Sequence, residues 1–112
     1  MPTHSELAGK LLMDAAEFFK TLAGQNPDME KEMHENAGVF EQMAALVVQE
    51  PQGIINDTPH NVLAGKLLKD AGEFFRTLAE QNEPIKEQMN ENANVFDQIS
   101  ALVTNDPLGI ME

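Results

Sequence analysis

Displacing the sequence by 56 residues lays it on itself without a gap. Leu7 to Leu12 recurs as Leu63 to Leu68, Glu17-Phe18-Phe19 as Glu73-Phe74-Phe75, and Glu35-Asn36-Ala37 as Glu91-Asn92-Ala93. Pro51-x-Gly53-Ile54 returns as Pro107-x-Gly109-Ile110, and 30 of the 56 aligned pairs are identical. A tandem repeat constrains folding strongly, because each unit must take the same shape and shield its apolar face against its neighbour. The chain is read as a single domain, 1–112, made of repeat 1 (1–56) and repeat 2 (57–112).

Each repeat has the periodicity of two helices. In the first helix Ala8, Leu11, Ala15, Phe18 and Leu22 are spaced by three and four, and Leu12 and Phe19 widen the stripe. Thr3-x-x-Glu6 has the form of a capping box, and in the second repeat Thr58 precedes a proline suited to a first helical turn. Asn26 and Asn82 stand where N-caps of the second helices are expected, followed by Pro27 and Pro84. Those helices carry Met33, Ala37, Phe40 and Met43, repeated as Met89, Ala93, Phe96 and Ile99, and end before Pro51 and Pro107. Helices of about 20 residues, each ~30 Å long, joined by short links must lie antiparallel. The fold class is all-α: an antiparallel four-helix bundle built from a duplicated 56-residue helical hairpin. No strand is expected, and Ile54-Ile55 in the central link should tuck against an end of the bundle.

Composition narrows the chemistry. Seven Lys and Arg against nineteen Asp and Glu give a formal charge of −12, and there is no Cys. Disulfides and thiolate metal sites are excluded, and direct nucleic-acid binding lacks the cations it requires. An apolar fraction of 42% supports a real core. The longest apolar run, Met43 to Val48, is far short of the ~20 residues of a membrane span. No cationic segment followed by an apolar one opens the chain, so the default expectation is cytoplasmic.

Four groups of residues are candidates for function. Asn36 and Asn92 project into the apolar arcs of their helices, where a buried amide would fix register and pairing in the core. Gly9, Ala16, Gly65 and Gly72 form a column of small residues for close helix packing, and beside it Leu12, Phe19, Leu68 and Phe75 broaden the arc enough to suggest a homodimer face. Asp14, Glu17, Asp70 and Glu73 place four carboxylates on the first and third helices, the arrangement that would hold Mg²⁺ or Mn²⁺ in a metal-dependent enzyme. A solvated face with a Lys10–Asp14 pair explains the same residues more simply.

Histidine offers little. Glu30 and His34 lie one turn apart and would hold a stray metal ion, but neither repeat completes the Glu-x-x-His pair of a di-iron bundle. His34 to Gly38 is similar to the phospho-accepting helix of histidine phosphotransfer bundles, except that Ala37 stands where those carry Lys. The acidic neighbours Glu30, Glu32 and Glu35 would also repel a phosphoryl donor. His4 and His60, near helix starts, are expected to be exposed. No cofactor is implied. The expected role is a non-catalytic protein–protein interaction or regulatory module whose acidic field steers a basic partner protein. The competing reading is the metal-dependent enzyme.

Overall fold

A computed structural model describes residues 2–110. Helix α1 (His4–Gln25) leads through a 3-10 turn (Pro27–Met29) into α2 (Glu30–Gln49). Helix α3 (His60–Gln81), a second 3-10 turn (Glu83–Ile85) and α4 (Lys86–Asn105) repeat the pattern with the same lengths. The four helices pack as an all-α bundle. Among the described residues no helix is long and apolar enough to cross a membrane.

Packing is close within each hairpin and looser between hairpins, because different side chains meet in the two places. Along α1 and α2 the facing residues are small. A β-carbon on Gly9 would stand 3.2 Å from the Ala44 carbonyl oxygen, and one on Gly65 would stand 3.1 Å from that of Ser100. In the second hairpin Ser100 Oγ donates to the Gly65 carbonyl at 2.6 Å, a bond that Ala44 cannot make in the first. Between the hairpins phenylalanines hold the helices apart. Phe18 meets Phe75 edge-on at 5.3 Å and Phe74 meets Phe19 at 5.5 Å. These two contacts exchange under the 56-residue offset, as they must if the hairpins are related by a twofold arrangement. Edge-to-face pairs of this kind add about 0.5–1.5 kcal/mol each beyond the area they bury.

Helix ends depart from the expected capping in instructive ways. At Thr3 the capping box forms: Glu6 N donates to Thr3 Oγ1 at 3.1 Å and Thr3 N to Glu6 Oε1 at 2.9 Å. Helix α3 has Pro59 as its N-cap, outside the helix, and no side-chain cap. Its first amides find loop carbonyls instead, His60 N donating to Gly53 O and Asn61 N to Pro51 O. Asn26 and Asn82 cap the helices before them, not after. Their carboxamides donate back to Leu22 O at 3.0 Å and Leu78 O at 2.9 Å, because the 3-10 turns move the starts of α2 and α4 three residues along.

The central link also corrects the sequence reading. Ile54–Ile55 (β1) and Thr58–Pro59 (β2) pair antiparallel across a tight turn, with Asn56 at φ 50° and Asp57 at φ 67°. Asn and Asp tolerate this left-handed region, and two such residues in sequence close a two-residue hairpin. Ile54 is 69% exposed, so it does not tuck into the bundle. The chain ends repeat this pairing without a covalent link, since Thr3 bridges Ile110 and these residues correspond to Pro59 and Ile54.

Candidate functional site

The two asparagines are not core residues. Asn36 and Asn92 are exposed, and among the described residues neither side chain forms a hydrogen bond within the chain. Helical projection places them between Met43 and Phe40, and between Ile99 and Phe96, all buried, but the neighbouring Val39 and Val95 are themselves 51% and 45% exposed. That side of α2 and α4 forms the wall of an open cleft. Asn36 shares its cleft with Asp70, Phe19, Phe40 and Phe74, in about 280 Å³. Asn92 shares the equivalent one with Asp14, Phe75, Phe96 and Phe18, in about 290 Å³. Each cleft therefore takes its aspartate from one repeat and its asparagine from the other.

The four carboxylates do not converge. Asp14, Glu17, Asp70 and Glu73 are all exposed, and Asp14 and Asp70 belong to different clefts. Lys10 Nζ stands 3.5 Å from Asp14 and Lys66 Nζ 3.5 Å from Asp70, well-exposed pairs each contributing about 0–1 kcal/mol. Glu30 and His34 are exposed at the start of α2. Among the described residues no three His, Cys, Asp or Glu side chains come together as metal ligands would.

Gly9, Ala16, Gly65 and Gly72 lie buried in the hairpin seams. Leu12 and Leu68 are completely buried, and Phe19 and Phe75 nearly so, by the chain's own helices. The wide apolar arc is used twice, once against the hairpin partner and once against the other hairpin. These eight residues leave no exposed surface for a homodimer face.

Two features escaped the sequence reading. His4 and His60 are 7% and 4% exposed, each with Nδ1 donating at 2.7 Å to the carbonyl of the residue that ends a helix, Asp106 and Glu50 respectively. The second feature is an ion pair bridging each hairpin: Lys20 with Glu41, and Arg76 with Asp97 at 2.7 Å. The hydrogen bond to Glu41 raises the Lys20 ammonium above its usual 10.5, desolvation opposes this, and the charges of Glu41 and Glu17 add to it. Parallel exchanges at the 56-residue offset, Lys20 to Arg76, Glu41 to Asp97 and Ala16 to Gly72, were the available signal.

On the outer face of the first hairpin lies a further groove of about 580 Å³, lined by Met13, Ala45 and Val48 and by the polar Glu6, Lys10, Glu41 and Gln49. The corresponding groove of the second hairpin has Lys69 in place of Met13, Thr104 in place of Val48 and Ser100 in place of Ala44. No known family's model matches the chain, nor does a curated protein or a solved structure.

Proposed function

We propose that the protein is a non-catalytic interaction module that docks a basic helical segment of a partner protein in the outer groove of its first hairpin. The observation that supports this reading is the difference between two grooves built on equivalent helices. The second hairpin forms its helix pair with Lys69 and Thr104 on the outer face, so the fold does not require Met13 and Val48 to be apolar. Those two are nevertheless 43% and 45% exposed. One exchange runs the other way, Glu6 to Val62, and it puts a carboxylate in the lining of the first groove.

A furrow between antiparallel helices suits an amphipathic helix that lays its apolar ridge between them. The lining holds Glu6 and Glu41 against one cation, Lys10, and the overall charge of −12 favours cationic flanks on that helix and repels a second copy of this chain. The test compares proteins retained by the wild type with those retained by Met13→Gln/Val48→Thr, which keeps the charge and approximates the second hairpin's groove. A basic protein bound directly by the wild type, released by salt and lost from the variant, supports the reading. Identical sets on both refute it.

A further inference from the structure

We propose that the two clefts between the hairpins are a matched pair of binding sites for small molecules with a compact apolar body and a protonated amine. They share no residue with the outer groove, so this inference does not depend on the partner reading.

The first argument is internal agreement. The repeats differ at nearly half their positions, and solvent-facing sites account for many of the differences, among them Met13/Lys69, Glu30/Lys86 and His34/Asn90. Every residue lining one cleft is nonetheless matched by the same residue type lining the other. For the phenylalanines this follows from packing. It does not follow for Asn36 and Asn92, which are exposed, contribute nothing to the core and are still retained, while Asp14 and Asp70, equally exposed, are retained together with their partners Lys10 and Lys66.

The second argument is chemical fit. Phe75 lines one cleft with Phe18 at 5.3 Å and Phe96 at 5.1 Å, both contacts edge-to-face. A volume of about 280–290 Å³ suits one ring or a short aliphatic body. The polar groups on the walls are one carboxylate and one carboxamide. The carboxylate attracts a cation, the phenylalanine lining takes the apolar body, and the amide oxygen accepts one ammonium hydrogen. Among the described residues the partner of Asp14 is Lys10, long at 3.5 Å and exposed, so a ligand ammonium displaces a weak contact. An anion meets the opposite situation: the wall carboxylate and a field of −12 both exclude it.

The experiment uses the full chain and 2-phenylethylammonium as probe, with 2-phenylethanol as its neutral counterpart, at neutral pH and low salt. Calorimetry and amide chemical shifts should report saturable binding of two equivalents, with shifts confined to the walls of both clefts. Asp14→Asn should weaken one site about tenfold and leave the other intact, Asp70→Asn should do the reverse, and the double variant should bind no better than the alcohol binds the wild type. Both aspartates are exposed, so the variants should keep the wild-type circular dichroism. The proposal is overturned if the ammonium fails to saturate at millimolar concentration, if the alcohol binds as well, or if the double variant binds like the wild type.

Discussion

Asp97 Oδ1 lies 3.0 Å from the point where a β-carbon on Gly72 would stand, while Asp97 Oδ2 accepts from Arg76 at 2.7 Å. Oδ1 is buried and has no hydrogen-bond partner among the described residues. In the first hairpin the same three positions hold Ala16, Lys20 and Glu41. Glutamate reaches its cation from further out and leaves room for a methyl group. Aspartate is one carbon shorter and must sit closer to the helix it bridges, and glycine makes that space.

Gly72→Ala should therefore yield much less than the ~1 kcal/mol that alanine usually gains over glycine inside a helix. In the background Arg76→Lys/Asp97→Glu, which copies the first hairpin, the same change should recover nearly all of it. Urea denaturation of the four variants measures this coupling. A full gain from Gly72→Ala alone would show that the carboxylate moves aside freely.

His60 should tolerate only replacements that keep a donor at the Nδ1 position. Asparagine places its amide there, whereas glutamine carries it further out to where Nε2 stands. His60→Asn should cost well under 1 kcal/mol. His60→Gln and His60→Leu should cost about 1–3 kcal/mol, the penalty for leaving the Glu50 carbonyl without its donor. Thermal melts rank the three, and an equal loss for Asn and Leu would contradict the role assigned to this bond.

Because Asn36 and Asn92 face solvent, Asn36→Ala and Asn92→Ala should change stability by no more than about 0.5 kcal/mol each. A buried register-fixing amide would respond very differently. Chemical denaturation decides, with a loss above about 2 kcal/mol returning these residues to the core.

The Lys20 ammonium is held above its ordinary value by Glu41, so it binds its proton more tightly in the folded chain than in the unfolded one. Stability from this source is fully present below about pH 10.5 and is lost as pH rises through the folded-state value. Lys20→Met should remove that part of the alkaline decline. The readout is the difference in unfolding midpoint between variant and wild type from pH 9 to about pH 12. An unchanged difference across the range would mean that the pair does not couple to folding.

The helices were legible because their apolar residues recur at three and four over five turns, and the hairpins because the same text is written twice. The clefts were not. A helical wheel reports that Asn36 lies between Met43 and Phe40, but not whether another helix covers that side. The ion pairs join α1 to α2 and α3 to α4 across 21 residues each, and no local spacing rule connects Lys20 to Glu41 or Arg76 to Asp97. The buried histidines were hidden for a similar reason, since the carbonyl that His4 meets belongs to Asp106, at the far end of the chain.

That last contact belongs to a seam with wider consequences. Loop 106–110 wraps the first turn of α1 as loop 50–54 wraps the first turn of α3, with His4 N on Gly109 O matching His60 N on Gly53 O. One seam is continued by the Asn56-Asp57 turn and the other lies open, so the backbone is a ring with two equivalent clasps, only one of them soldered. Joining the present ends through a short Gly-Ser linker and cutting between Asn56 and Asp57 should give a circular permutant within about 1 kcal/mol of the parent, because the loop closed and the loop opened are of similar length. Any sequence attached at either end of this chain would leave from that open clasp, side by side with its counterpart.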